Sequence, residues 1–444
     1  MVDRVDTALV QLWGMTVGAV SWLADRDLAV FEFEPDFLRR GLDLSPINMP
    51  LQDALRGDGL YSFAGLNRDT YKGLPGLLAD SLPDKFGNNL IDAWLARNGR
   101  SGADFSPVER LCYTGSRGMG ALEFAPAINR RGQEQSVPVE VAELVKLAQQ
   151  ITAERSQLQV AFDFERPAES QNGEAMLDIL RVGTSAGGAR PKAIIAMNDD
   201  GDVRSGQVEA PEGFDYWLLK FDGVDDLELG KPKGYGRIEY GYYLMAQKAG
   251  IQMSECRLLE EGGRAHFMTR RFDRQRDSKG KMRKQHMQTL CGVAHFDFNM
   301  PGAYGYEQAF TVMRQLRLSR IEAEQQFRRM VLNVLARNQD DHTKNIAFLM
   351  DEDGQWRLSP AYDVTYAHNP AGVWTNQHQM SINGKRDHFT VQDLLDVGHS
   401  ISLPRPKQVI DEVHAAVQAW PEFAKQAGVA EKVSKQIGNA HRQL

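Results

Sequence analysis

Cysteine is scarce: Cys112, Cys256 and Cys291 are the only three in 444 residues. Their odd number and wide spacing exclude a disulfide framework and a C-x-x-C metal site, so a reducing compartment is expected. No run of about 18 apolar residues occurs, which excludes a membrane-spanning helix. The opening Met1-Val2-Asp3-Arg4-Val5-Asp6 lacks the basic region and apolar core of a secretory signal, so a cytoplasmic protein with no membrane partner is expected. Positive charge is not in excess either, since 52 Lys and Arg stand against 59 Asp and Glu for a net charge of -7. That balance argues against a chain that coats nucleic acid by charge alone. Internal repeats and low-complexity tracts are missing too. What remains is an ordinary globular composition, 42% hydrophobic and 25% charged, long enough for roughly two to four structural units at about 150 residues each.

Residues 1–60 alternate apolar and polar in short runs such as Leu9-Val10-Gln11-Leu12 and Ala29-Val30-Phe31-Glu32-Phe33, broken by Gly and Asp. This pattern predicts a small β-meander, followed by helical periodicity over residues 74–97. The glycine-dense stretch 114–120 reads as a structural turn. A polar stretch at 129–136 reads as a linker, so the first domain boundary falls there. Helical periodicity resumes over 138–180, with an exposed connection at 164–173. A small-residue loop at 181–192 then runs into the strand Ala193-Ile194-Ile195-Ala196-Met197. Tyr216-Trp217-Leu218-Leu219-Lys220-Phe221 predicts a second strand, Glu239 opens a helix to Gly250, and His266-Phe267-Met268-Thr269 predicts a third strand. Apolar residues at Phe327, Met330, Val331, Val334 and Leu335 keep i, i+3, i+4, i+7, i+8 spacing, the mark of a buried helix face. That helix ends at Asn338-Gln339-Asp340-Asp341-His342-Thr343-Lys344-Asn345, and the strand Ile346–Met350 and a hairpin return follow, reaching Asp363. From Leu403 onward the chain reads as helices.

The chemistry concentrates between Asp340 and Asn345. Two acids, a His, a Lys and an Asn between a buried helix and an apolar strand are costly unless they face a cleft. The Asp340-x-x-x-x-Asn345 spacing is that of a phosphoryl-transfer loop, in which the Asp orients and deprotonates the attacking hydroxyl and the Asn holds a metal ion. Asp363 arrives by hairpin and completes an oxygen-ligand Mg²⁺ set with Asn345 and ATP phosphates. A lysine inside Trp-Leu-Leu-Lys-Phe needs an anion, so Lys220 is assigned to nucleotide phosphates, with Glu239 a candidate carboxylate partner. The loop 183–188 lacks the Walker pattern, yet its small residues can wrap phosphates. Glycine loop, strand lysine, Asp-x-x-x-x-Asn and a later Asp follow the order of a kinase.

On Gly183-Thr184-Ser185-Ala186-Gly187-Gly188-Ala189-Arg190-Pro191-Lys192, Lys220, Arg270-Arg271-Phe272-Asp273-Arg274, Asp340 to Asn345 and Pro360-Ala361-Tyr362-Asp363, the chain resembles the HipA family of bacterial serine/threonine kinases. These are the toxin components of HipBA-type toxin–antitoxin modules. Leu74-Pro75-Gly76-Leu77-Leu78-Ala79-Asp80-Ser81-Leu82-Pro83-Asp84 resembles the small domain that precedes the kinase core. The resemblance implies an α+β, protein-kinase-like two-lobe fold: a small mixed β/α domain over 1–135, an N-lobe over 136–275 and a mainly helical C-lobe over 276–444. It implies ATP and Mg²⁺ as cofactors, Asp340 as catalytic base, and Asn345 and Asp363 as metal ligands. Ser185, Ala186, Gly187, Gly188 and Lys192 would form the phosphate loop, and Lys220 would contact the phosphates. Thr269 to Phe272, with Arg271 and Phe272 as the nucleotide-binding positions, would lie at the adenine hinge, and His342 and Lys344 near the phosphates. Asp341 sits beside the base, but only Asp340 keeps the five-residue spacing to Asn345.

The resemblance further implies autophosphorylation of Ser185, with Thr184 as the adjacent alternative, expelling the loop by adding about -1.5 to -2 charges where ATP phosphates sit. It implies a HipB-like helix-turn-helix antitoxin as partner, operator DNA reached only through that antitoxin, and a protein substrate such as an aminoacyl-tRNA synthetase. Lys385 and Arg386 after Asn383-Gly384 are the local candidates for a basic patch, against the simpler reading of a solvated turn. Two other readings stay open: a small-molecule kinase of the same fold, and an inactive kinase fold serving as a co-repressor scaffold.

Overall fold

The structure, a computed structural model, describes residues 4–57, 59–83, 87–88, 91–92, 95, 101–102, 105–126, 138–153, 191–223 and 234–444. The glycine loop at 183–188 and the linker at 129–136 lie outside the described residues. The expected meander forms as β1 (Thr7–Leu12), β2 (Met15–Leu23) and β3 (Leu28–Phe33), joined by β4 (Leu60–Tyr61) and β5 (Leu122–Ala125) in the antiparallel order β4-β3-β2-β1-β5. Alternation puts Ala8, Val10 and Leu12 on the buried face and leaves Thr7 and Leu9 outside. Within 74–97 the described residues 76–79, 87–88, 91–92 and 95 are helical. Pro75 precedes α1 (Gly76–Ala79), which stops after four residues. In α2 (Pro107–Thr114), Ser106 and Glu109 close a capping box.

α3 (Val141–Ala153) packs on a second five-stranded sheet of β6 (Lys192–Met197), β7 (Val203–Ser205), β8 (Asp215–Lys220), β9 (Cys256–Glu261) and β10 (Arg264–Arg270), in the order β7-β6-β8-β10-β9. Its core joins Val145, Ile195, Trp217, Leu219 and Met268 with Ile91, Leu95, Phe105 and Tyr113 from the first part of the chain. α4 (Tyr235–Lys248) crosses this sheet closely: a Cβ on Gly236 would stand 2.0 Å from the Ala265 carbonyl oxygen. Only glycine permits that approach, and it brings Glu239, one turn on, over β8.

Most of the regular structure in the remaining chain is helical. After β11 (Arg274–Arg276), β12 (Met282–Lys284), β13 (His286–Thr289) and α5 (Leu290–Ala294) come α6 (Tyr306–Gln315) and α7 (Arg320–Leu335). Ser319 and Glu322 cap α7, whose Phe327, Met330, Val331, Val334 and Leu335 are buried in the largest core. β14 (Ala347–Met350) pairs with β13 and with β15 (Trp356–Leu358), so the hairpin is the outer part of a three-stranded sheet. α8 (Val391–Ser400), α9 (Pro406–Gln418), α10 (Trp420–Gln426) and α11 (Glu431–Ala440) complete the lobe.

Candidate active site

β8 ends at Lys220, in register with Lys192 on β6 and Phe267 on β10. The Lys220 ammonium donates to Glu239 Oε1 on α4 at 2.6 Å and to Asp363 Oδ1 on the helical lobe. Burial alone would lower its pKa, but Asp363 and Glu239 override this and raise it. Burial likewise pushes the Asp363 carboxyl up, yet Lys220 and then Lys192 bring it down to about 2. Asp363 also has φ of 51°, a left-handed conformation that a non-glycine residue adopts only where its surroundings hold it.

Beyond α7 the chain leaves the helix for the polar loop, with a single 3₁₀ turn at Thr343–Asn345. The two adjacent acids part company there. Asp341 is buried with both oxygens committed: Tyr306 donates from its hydroxyl at 2.9 Å, His378 from Nδ1 at 2.8 Å and Gln379 from its amide at 2.8 Å. Burial would raise its pKa, but His378 leads the groups that hold it low. Asp340 keeps 42% of its side chain exposed, enough for a substrate to reach. Desolvation at the cleft floor raises its pKa, against the lowering effects of His342 and Trp374. Trp374 Nε1 donates to Asp340 Oδ1 at 2.6 Å, and His342 Nε2 lies 3.8 Å from the same oxygen.

Asn345 donates from Nδ2 to the Asp340 carbonyl at 2.7 Å, which leaves its Oδ1 lone pairs for a cation. Among the described residues, no group of three His, Cys, Asp or Glu side chains makes a metal site unaided. An amide oxygen and an ionised carboxylate suit a hard cation whose remaining ligands are phosphate oxygens and water. Lys344 places its ammonium 4.6 Å from the Phe298 ring centroid, and Tyr362 donates to its carbonyl at 2.5 Å. His342 packs between Phe298 and Trp374, with centroids 5.5 and 6.4 Å away.

The Arg271 side chain is buried, donating from Nε and Nη2 to Asp273 at 2.9 and 2.7 Å and to the Gly118 carbonyl at 3.2 Å. Its guanidinium fastens the 114–120 turn to the second sheet, so any contact with an adenine ring falls to backbone. Phe272 lies 5.7 Å from Tyr362, beside Asp363. Ser185, Ala186, Gly187 and Gly188 fall outside the described residues. Lys385 is held by both Asp393 oxygens at 2.8 Å and Arg386 donates to the His378 carbonyl at 2.6 Å, so both brace the lobe.

Sequence reasoning missed Trp374 and His378, on irregular chain over thirty residues beyond the acids they touch. It also missed Asp80. Gly76 and Gly292 allow α1 and α5 to cross so closely that a Cβ on Gly76 would sit 2.2 Å from the Gly292 oxygen. Asp80 thereby accepts from the Thr289 amide at 2.7 Å and its hydroxyl at 2.9 Å, within electrostatic reach of Lys344. Asp80 stands inside the Leu74 to Asp84 stretch and was a visible signal.

A five-stranded sheet with a lysine–glutamate pair, set over a helical lobe with an Asp-x-x-x-x-Asn loop and a further aspartate, is a protein-kinase-like fold. The model of the HipA-like C-terminal domain matches residues 184–420 and that of the HipA N-terminal domain matches residues 8–125. The chain belongs to the HipA family. Among solved structures, the HipA chain of a Shewanella oneidensis MR-1 toxin–antitoxin complex of HipA, HipB and operator DNA superposes with a TM-score of 0.65 at 16% identity. That match covers 97% of this chain and 94% of that one. The Helicobacter pylori proinflammatory kinase CtkA matches at a TM-score of 0.31 and 12% identity, over 51% of this chain and 91% of that one, too slight to define a shared fold. Among curated proteins no match is found. No helix of the described residues is long and apolar enough to cross a membrane.

Proposed function

We propose that this protein is a HipA-like toxin kinase that transfers the γ-phosphoryl group of ATP to a serine or threonine hydroxyl of a protein. The observation that carries this reading is Lys220, which bridges Glu239 on one lobe and Asp363 on the other beside the Asp340–Asn345 loop. In the nucleotide complex the Lys220 ammonium moves from Asp363 to the phosphates while Glu239 keeps it in place. Asn345 Oδ1 and the Asp363 carboxylate would hold Mg²⁺, which when bound neutralises phosphate charge. The substrate hydroxyl displaces the Trp374 indole from Asp340 and gives its proton to that carboxylate. Its oxygen bonds to the γ-phosphorus as the bond to the β,γ-bridging oxygen breaks, and ADP leaves.

In this reading Lys192 adds positive charge beside the phosphates, Phe272 backs the nucleotide site, and His342 and Lys344 line its far side. Ser185 is the autophosphorylation site that shuts the kinase down. A HipB-like antitoxin is the partner and operator DNA is reached through it. The substrate is a component of translation such as an aminoacyl-tRNA synthetase.

The test is incubation with Mg²⁺ and labelled ATP, alone and with cell lysate, followed by mass spectrometry of labelled species. Label on Ser185 and on one lysate protein, lost in Asp340→Ala and Asp363→Ala, is the expected result. Intact labelling in both variants refutes the assignment. ATP consumption that labels only small metabolites points to a small-molecule kinase, and complete inertness points to a scaffold.

A further inference from the structure

The helix that delivers the catalytic loop ends in carbonyls that the helix itself cannot satisfy. In α7 these are taken by the C-terminal segment and by α4. Arg442 donates from Nη1 to the Val334 oxygen at 2.7 Å and from its amide to the Leu335 oxygen at 2.8 Å, and Tyr242 donates its hydroxyl to the Ala336 oxygen at 2.6 Å. Arg337, left-handed with φ of 56°, returns a bond from Nε to the Ala440 oxygen at 2.9 Å. A permanent cation is thus set at the negative end of the helix dipole, where it is stabilising.

The same guanidinium reaches further. Its Nη2 donates to Asp387 Oδ1 at 2.6 Å, and Nη1 meets His378 Nε2 at 2.8 Å. Arginine carries no acceptor, so Nε2 accepts and the His378 proton must sit on Nδ1. From Nδ1 it is donated to Asp341 Oδ2, and the Asp341 carboxylate also holds the Gln379 amide and the Tyr306 hydroxyl. Gln379 donates in turn to the Trp374 carbonyl, fixing the segment whose indole rests on Asp340. On the other side Tyr306 accepts from Asn333, whose Oδ1 accepts from Asn338 at 2.9 Å, and Asn338 bonds the Asp363 carbonyl at 3.4 Å. His378 is completely buried and Arg442 and Asp341 nearly so, so water offers no substitute for these bonds.

We propose that Arg442 is a positioning residue for phosphoryl transfer: it fixes the Nδ1–H tautomer of His378 and, through Asp341, sets both Asp340 and the Trp374 segment. This rests on the kinase reading above for its rate consequence, but the tautomer can be observed without any activity. A displacement of the base by about 1 Å costs up to about a hundredfold in rate, whereas nucleotide binding by Lys220 and Asp363 is left in place.

The experiment uses the full chain labelled with ¹⁵N, with the His378 signals assigned by their loss in His378→Gln. The wild type should show a protonated Nδ1 and an unprotonated Nε2. Arg442→Gln should lose that preference and lower kcat about tenfold or more, with KM for ATP within about twofold. Arg442→Lys, which keeps the cation at the helix end, should recover part of kcat. A wild-type His378 protonated on Nε2 overturns the proposal, and that observation needs no variant to fold. A normal kcat in Arg442→Gln also overturns it, as does a lowered kcat with the tautomer unchanged, since Arg442 would then be no more than a helix cap. If the wild type transfers no phosphate, the kinase reading fails while the His378 spectra still decide the relay.

Discussion

Asp273 is the residue whose loss should cost the fold most. It is a single carboxylate between two guanidiniums, Arg271 at 2.7 Å and Arg274 at 2.8 Å, and it also accepts the Gly120 amide at 2.7 Å. Side-chain exposure is 0% for Asp273, 1% for Arg271 and 6% for Arg274, so water cannot solvate the cations if the anion goes. Replacing it by Asn leaves two buried positive charges facing an amide, a change that typically costs about 3–5 kcal/mol. Against a total stability of about 5–15 kcal/mol this is a large share, and for a cooperative transition of the whole chain it corresponds to a fall of about 3–5 °C in Tm. Urea unfolding of Asp273→Asn beside the wild type measures it directly. The pH dependence supplies a second check. Although burial would raise the Asp273 pKa, Arg271 and Arg274 hold it well below the usual carboxylate range. Its contribution is therefore complete above the unfolded value near pH 4 and declines as pH falls below that, by at most ~1.4 kcal/mol per pH unit. The gap between wild type and variant should narrow as pH falls from about 5 to about 3, about one unit on either side of the unfolded pKa. A cost under about 1 kcal/mol, or a gap that does not narrow, would refute the reasoning.

Lys220→Met should reduce phosphotransfer by about a hundredfold or more, and it should raise the Asp363 pKa from about 2, moving acid unfolding to higher pH; titration with the variant checks both. In the wild type, the Asp363 contribution to stability is present above the usual carboxylate range and is lost as pH falls toward 2. Trp374→Phe removes a hydrogen bond that lowers the Asp340 pKa in the free enzyme, so the acid limb of the kcat/KM profile should shift to higher pH; an unshifted limb would separate Trp374 from the base. Cys112, Cys256 and Cys291 are buried, with burial pushing their thiols up to about 12, 12 and 11, so a thiol reagent should label none of them quickly until the protein is denatured.

Periodicity carried the elements whose burial is one-sided or total. The meander, the Lys220 strand and α7 each stand within a few residues of their sequence reading, because alternation and 3.6-residue spacing are imposed by the faces that pack. Spacing also brought Asp340 and Asn345 together, since both lie on one short loop. What stayed hidden depends on contacts across long separations. Arg271 read as a hinge residue because the Gly118 carbonyl that its guanidinium reaches lies some 150 positions away in sequence, and the nearby Asp273 does not by itself show that the pair turns inward. Trp374 and His378 sit on chain without regular structure, where no period reveals which side chain faces the acids. Lys385 read as a solvated turn, yet the first turn of α8 supplies Asp393 for it.

The close crossing of α1 and α5 bears on how such proteins can be recombined. The two family models divide the chain between residues 125 and 184, as though it could be exchanged in halves. The physical seam runs elsewhere: the core of the first sheet also contains Cys291 and Met350, and Asp80 is bonded to Thr289. A first half borrowed from a relative would bring its own side chains against Gly292, Thr289 and Cys291 without their matched neighbours. The halves are therefore expected to vary in step, each substitution along α1 answered on α5, and chimeras joined in the linker to fold poorly unless that contact is transplanted as a unit.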